Sequence, residues 1–356
     1  MADLIIGTGS NLAVKLWAER AEHEALKMTL FGKLASSSPD SALYIKDDLM
    51  KKAGDRITCT LGVIPTGAGI SGDATLEGNE DNADYYTQNV LVDQLRNGLR
   101  WNGRITKQRT LLDFREEVTP KLRDWMADRI DAWWINHASG NTGQTDLKYV
   151  GFNATTAPTS AAGNTRIMYG NGTSTTENSL SVCSCAFKLE DIDRLVNQAM
   201  IATPAIEPVK TPSGMKYILV IHPNQARQLK IDATAGRVTW WDYHRSVIQG
   251  GGPNIIGNPE FGALGEYNNV IIHENSRIPL APSTVQIRRS VFLGRQGVLF
   301  AFGRDYSLTR FRMDEKDFDY GNKPGMDIGI IGGCVKPVYN SIDYGTIVLS
   351  TSSPNT

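Results

Sequence analysis

Net charge is almost absent from this sequence: 37 Lys and Arg stand against 38 Asp and Glu in 356 residues. That balance excludes a chain drawn as a whole onto nucleic acid or an anionic membrane, and leaves only local basic faces for such contacts. Long apolar runs are lacking too. YILVI and VLFAF are the longest and VFLG and IGII are shorter still, far below the ~20 residues of a membrane span. The start MADLIIGTGSN has no basic segment leading into a long apolar one, so the expectation is a soluble, cytoplasmically made chain without a membrane partner. Cysteines number four, Cys59, Cys183, Cys185 and Cys334. They are too few and too irregular for a disulfide framework, and reduced thiols are expected.

Catalytic signatures are equally scarce. The five histidines, His23, His137, His222, His244 and His273, lie in different predicted elements, and no G-x-S-x-G, H-E-x-x-H or P-loop occurs. Cys183 and Cys185 form a lone C-x-C without a second ligand pair, which reads as two small strand residues and not as zinc. GAGISG at 67–72 has the G-x-G-x-x-G spacing after a strand, but that fingerprint needs a helix opening on its third glycine, and 73–84 is acidic and non-periodic. A soluble nucleotide-binding enzyme using Gly67, Gly69 and Gly72 is therefore a distant alternative. LIIGTGSNLAV does precede a helical pattern, yet Leu12 replaces the third glycine. Asp73, Glu77, Glu80, Asp81 and Asp84 lack the spacing of a calcium loop. No enzyme activity, cofactor or metal is expected. The clusters Arg288 with Arg289, and Arg304, Arg310 and Arg312, are expected as rim charges at subunit contacts.

The dominant positive feature is 104–140. Leu111, Phe114, Val118, Leu122, Trp125, Ile130 and Trp133 recur every three to five residues and predict one apolar helical stripe lying on a core. Thr119 and Pro120 read as N-cap and first helical residue, which predicts the main helix over 120–138 with a shorter lead-in over 106–118. Upstream, 10–34 predicts an exposed helical arm. Residues 56–63 alternate Ile57, Cys59, Leu61 and Val63 with polar partners and predict a half-buried strand; 85–93 predicts a second. Between them 64–84 holds four glycines, five acids and almost nothing apolar, so the tip of this long hairpin cannot bury itself and calls for a partner surface.

Downstream, 141–181 reads as a surface excursion with short strands at most. Helices are predicted over 189–202, 223–231 and 237–248, and strands over 217–221, 270–273, 285–289, 291–293, 298–302, 328–331, 335–339 and 346–349, with a charged turn at 314–319. Helices and strands mix without regular alternation, so the class is α+β.

The order of these parts resembles the major capsid proteins of tailed bacteriophages with the Hong Kong 97-type shell fold. The likeness runs from about Trp17 to Thr351 and rests on DLMKKAGDRITCTL, LEGNED, the Gln108 and Arg109 pair leading into LRDWMADRIDAWW, APTSAAGNTRIMYG, PEFGALGEYNNVIIHENSRIP, VFLGRQGVLFAFGR and SIDYGTIVLST. The resemblance implies an N-terminal arm (1–56), an extended loop (57–103), a peripheral domain with a spine helix and surface insertion (104–188), an axial domain (189–302), and C-terminal strands returning to the peripheral domain (303–356). It implies pentamers and hexamers of the chain closing an icosahedral head around double-stranded DNA held by non-specific contact, with scaffold, portal and decoration proteins as further partners. The protein would be made in the bacterial host cytoplasm and reside in the virion. The loop tip, Gly67, Gly69, Gly72, Asp73, Glu77, Glu80 and Asp81, would touch a neighbouring subunit; Leu122, Trp125, Ile130 and Trp133 would form the spine core. No lysine and asparagine pair matches the self-crosslinking pair of the family's type member. An encapsulin-like nanocompartment shell is the alternative within the same architecture.

Overall fold

The computed structural model describes residues 30–353 apart from 50–53, 64, 66, 74, 101, 110–113, 162–163, 171, 173, 181–184, 213, 233–238, 241, 243–263, 284–285 and 304–310. The helical expectation over 10–29 lies outside these residues, as do His23, His244, Cys183 and most of 237–248.

The chain opens with α1 (Leu30–Leu34), β1 (Ala35–Ser36) and β2 (Leu43–Leu49), then a hairpin of β3 (Arg56–Gly62) and β4 (Tyr85–Leu91). β5 (Asp93–Arg100) and α2 (Arg104–Arg109) precede the long α3 (Phe114–Ser139), followed by α4 (Leu147–Val150) and β6 (Ile167–Tyr169). Next come α5 (Leu189–Ile201), β7 (Val209–Thr211), β8 (Gly214–Ile221), α6 (Pro223–Ile231), β9 (Gly265–Tyr267) and β10 (Val270–Glu274). The remainder is β11 (Ile287–Leu293), β12 (Val298–Gly303), β13 (Phe311–Phe318), β14 (Lys323–Val335), β15 (Val338–Tyr339), β16 (Ile342–Asp343) and β17 (Thr346–Ser352).

Two sheets organise these elements. A six-stranded sheet runs β1-β2-β12-β14-β13 with β5 also on β14, and a seven-stranded sheet runs β6-β17-β11-β8-β10-β9 with β7 on β8. Their central strands, β12 in the first and β8, β11 and β17 in the second, are buried on two faces, while β5 and the outer half of β13 are largely exposed. The two-residue side-chain period sorts the central strands between different cores. On β8, Ile218 and Val220 join the core around α3, while Tyr217, Leu219 and Ile221 join the core under α5 and α6. On β12, Phe300 and Phe302 face α3, whereas Leu299 and Ala301 face the base of the hairpin. The sheets, more than sequence order, divide the chain. β12, expected in the axial block, lies in the six-stranded sheet, and β17, expected with the peripheral strands, pairs with β11 in the other one.

α3 departs from the sequence reading in two ways. It runs through Pro120 as one helix from Phe114, so Thr119 is not its N-cap. An interior proline costs about 3 kcal/mol, but Phe114 and Val118 are buried on the same face as Leu122, and burying two such side chains contributes roughly 1.5–3 kcal/mol each. The second departure is that α3 does not merely lie on a core: every residue of its last ten is buried. Most of the buried polar groups there are partnered, Trp133 Nε1 and His137 Nδ1 being the exceptions. Asp131 accepts from Trp134 Nε1 (3.1 Å) and the Phe31 amide (3.4 Å), Asn136 donates to the Ala132 and Tyr149 carbonyls, and His137 Nε2 donates to the Val150 carbonyl (2.9 Å).

Trp133 and Trp134 are fully buried, and Gly151, at φ 74, approaches the Trp133 ring so closely that a Cβ would lie 3.1 Å from it. Leu122 and Ile130 are buried as expected, but Trp125 is only partly so and carries the Arg129 guanidinium 5.3 Å from its ring centroid. Truncating Trp133 to Ala is therefore expected to cost about 3–5 kcal/mol, and Trp125→Ala about half of that or less, because only the buried part of a ring leaves a cavity. Urea titration of both variants checks the order; equal losses would place Trp125 in the core.

Burial holds the His137 imidazole neutral, its pKa lowered to about 4 from 6.5. Between those values the unfolded chain binds the extra proton, so His137 contributes stability that is complete above pH 6.5 and lost as pH falls towards 4. Burial acts on Asp191 with the opposite sign: its carboxyl, pushed up to about 7, favours the fold most at low pH and loses that benefit between 4 and 7. Comparing His137→Gln with the parent isolates the histidine. Asp191 bends the curve the other way over the same range, so the difference is read: the unfolding free energy of the parent minus that of the variant should rise between pH 4 and 6.5, and parallel curves would mean that folding does not depress the His137 pKa.

Three surface stretches hold residues the sequence reading did not place. Phe31 and Leu34 are buried, Phe31 edge-on to Phe300 at 4.5 Å, and β2 pairs along β12, so these parts of the N-terminal arm join the core while 36–39 stay exposed. The described residues of 141–181 are mostly exposed or half-buried, as expected, but the segment is anchored: Arg166 and Leu180 are wholly buried and the three-residue β6 pairs with β17. The charged stretch at 314–319 is mostly strand β13, paired with β14 along its length.

Candidate assembly site

The hairpin β3–β4 is rooted at its base and unsupported beyond it. Seven register pairs join the strands, from Arg56 opposite Leu91 to Gly62 opposite Tyr85. Ile57, Cys59 and Val90 turn inward and pack on Leu299, Ala301 and Val335, while Arg56, Thr58 and Thr60 point to solvent. The base is clamped by Asn153, which accepts from the Leu91 amide and donates to the Leu91 carbonyl, both at 3.0 Å. Further out, the Val338 amide reaches Gln88 Oε1 (3.4 Å).

Past Leu61 the apolar face has nothing to cover it. Val63 is exposed, Tyr85 is 67% exposed and Leu76 59% exposed. Among the described residues, all of 71–87 are exposed. The predicted tip residues come together here, but by hydrogen bonds and not by a core. Asp81 Oδ2 accepts from the Gly67 amide (2.7 Å) and draws the neck shut, Glu80 accepts from the Gly78 amide (2.8 Å), and a turn closes from Asn79 to Leu76. Gly69 and Gly72 adopt φ near +70 with open space around them, so glycine is required there by the backbone and not by packing. No helix opens on Gly72; a turn follows. The arrangement that would hold a pyrophosphate is missing. Asp73 and Glu77 are simply exposed.

The described histidines are used structurally. His222 Nδ1 caps α6 by accepting from the Asn224 amide (3.2 Å), and His273 is buried on β10. No group of three His, Cys, Asp or Glu among the described residues is placed to hold a metal ion. Cys59, Cys185 and Cys334 are buried and form no disulfide. Arg289, expected as a rim charge, is instead buried: it pairs with Glu177 (2.7 Å) and donates to the Ser139 and Gly140 carbonyls, closing the C-terminus of α3.

The family model described as phage capsid protein matches residues 5–355. The chain belongs to the phage capsid protein family. It is 26% identical to the major capsid protein of Pseudomonas phage KPP25 over 368 residues, covering 94% of this chain and 92% of that one. The capsid of Ralstonia phage GP4 superimposes with a TM-score of 0.76 at 25% identity, covering 100% of this chain and 94% of that one. The cyanophage Pam1 capsid gives 0.74 at 20% identity with 100% of both chains covered, and the head of Helicobacter pylori bacteriophage KHP40 gives 0.65 at 16% identity, covering 92% and 91%. The α+β class and Hong Kong 97-type capsid fold expected from the sequence are those of the structure.

In this capsid protein the residues that sequence reasoning missed are its internal polar staples. Lys336 and Asp343, both fully buried, pair at 2.8 Å; Lys336 also donates to the Ala157 carbonyl, the Asp343 carboxylate accepts from the Thr159 amide, and the Asp343 amide donates to Thr159 Oγ1. Burial pushes the lysine pKa down while Asp343 holds it up. Only the clustering of polar residues in SIDYG after an apolar strand hinted at the pair.

Proposed function

We propose that this capsid protein is the major shell subunit of a tailed phage: pentamers and hexamers of the chain close an icosahedral head around double-stranded DNA. Each hairpin lies on a neighbouring copy. The observation that carries this reading is the hairpin itself, a strand pair seated at its base whose outer apolar residues and acidic tip lie exposed in the isolated chain. A segment without a core stays ordered when an adjacent surface covers it, and a closed shell offers every copy the same one. The family match and the likeness to solved capsids support the same reading.

In this assignment α3 and the six-stranded sheet form the peripheral body, and α5, α6 and the strands beside them gather around the five- and six-fold axes. The subunit needs no cofactor and performs no catalysis. DNA is held without sequence readout, consistent with a chain of near-zero net charge. Scaffold, portal and decoration proteins complete the head.

Expression of the full chain followed by sedimentation and electron microscopy tests this. Closed particles of one size are expected. A protein that stays monomeric at high concentration with the hairpin protected from proteolysis would sink the reading, and particles loaded with an enzyme cargo would favour the nanocompartment.

A further inference from the structure

The corner opposite the hairpin carries an exposed apolar and basic patch. β13 and β14 are joined by a turn in which Asp319, Tyr320 and Gly321 all have positive φ, at 56, 51 and 76. A bulky aromatic rarely occupies that region, and such strain persists where the surroundings enforce it and function uses it. The surroundings do enforce it. The Asn322 amide donates to the Asp319 carbonyl (3.0 Å), Asn322 Oδ1 accepts from the Arg104 amide (3.0 Å), and Arg104 Nε donates to the Gly321 carbonyl (3.2 Å). The result is a rigid turn presenting Tyr320 wholly to solvent.

Around it lie Leu99, Ile105 and Phe318, all exposed. The Arg100 guanidinium and the Lys316 ammonium sit over the Phe318 ring at 5.6 and 5.3 Å. With Arg104 and Lys323, four basic side chains outnumber the two acids of the turn region, Asp317 and Asp319. Exposed aromatics with basic neighbours on a rigid turn have the composition of a contact centre.

The hairpin tip is its complement in charge. Residues 64–84 contain five acids and no lysine or arginine, with Leu76 and Tyr85 as exposed apolar side chains. The two patches cannot meet within one chain. Moving from the tip towards the base, Gln88 neighbours Val338 and Leu91 neighbours Gly333; β5 then pairs Asp93 with Gly332 and Arg100 with Gly325. The path therefore runs steadily down β14 to the turn, along roughly 50 Å of strand. Tip and corner are the two ends of that path.

We propose that the corner formed by Tyr320, Phe318, Leu99, Ile105, Arg100 and Arg104 receives the acidic hairpin tip of a second copy of this chain. This deepens the shell reading above and rests on it. Two different patches meeting head to tail make a heterologous contact, which closes into rings when the rotation permits. It names what the hairpin lies on: a basic, aromatic end of the neighbour's six-stranded sheet.

The test is charge reversal with restoration in the full-length chain, read by particle yield on sedimentation. Arg100→Glu with Arg104→Glu, or Asp73→Lys with Glu77→Lys, should each lower yield at least about tenfold, since like charges in a contact cost several kcal/mol. Combining all four should restore yield to within about threefold, because the charges are again complementary. A cysteine pair provides a second readout, since the described native cysteines are buried: Leu76→Cys with Tyr320→Cys should link chains in oxidised particles. Reversed variants that assemble like the parent, a combined variant that melts normally but stays unassembled, or parent-like particles without the disulfide would each overturn the proposal. Corner reversal that only reduces DNA retention would assign the patch to nucleic acid and overturn it too. Failure of the unaltered chain to assemble would instead strike the shell reading itself.

Discussion

Deleting residues 66–84 is expected to leave a protomer whose unfolding midpoint in urea matches the full chain and whose particle yield is nil. The described residues of the tip are exposed and its hydrogen bonds are local, so little core energy is removed, and loss of a surface segment ordinarily changes stability by about 0.5 kcal/mol or less. The shortened hairpin keeps its seven register pairs and its base on Leu299 and Val335, with residues 63–65 as a short turn. Sedimentation separates the outcomes. Normal particles from the deletion would mean that the tip has no assembly role, and a large drop in the midpoint would mean that it belongs to the core.

The second large effect is expected inside the protomer. Asp343→Ala strands the Lys336 ammonium in a site with no exposure, and breaking a buried pair from one side costs about 3–5 kcal/mol. Lys336→Met combined with Asp343→Leu should lose much less, since two apolar groups of similar volume need no counter-charge. Burial already lowers the lysine pKa, so the single variant should recover part of its stability as pH rises and the amine sheds its proton. Equal losses in the single and double variants would show that the pair acts through packing and not through charge.

How legible was this molecule in its sequence? The period-two strand Arg56–Gly62, the bare glycine- and acid-rich tip and the helix Pro223–Ile231 followed from local patterns because their physics is local: alternation, absence of apolar residues, proline at a first turn. What could not be read depends on distant partners. Pro120 looked like a helix start because the chain alone does not reveal that Phe114 and Val118 share a core with strands two hundred residues away. Arg289 looked like a surface charge because Glu177, its partner, is 112 positions upstream. Residues 141–181 looked like a loop because short, glycine-interrupted segments carry no period, although β6 completes a buried sheet. The tip was found by the same logic in reverse: its local composition excluded a core of its own.

One consequence follows from the way β5 continues β4 with only Val92 between them. A pull on the hairpin tip, as when a neighbour moves outward, travels along the backbone and reaches the eight β5–β14 register pairs nearly edge-on. Antiparallel hydrogen bonds lie across the strand axis, so the load is shared in shear over the whole ladder and not peeled off bond by bond. Tethering one chain by residue 76 and by its C-terminus should register this as a high rupture force, and a low, gradual release would show that the ladder unzips instead.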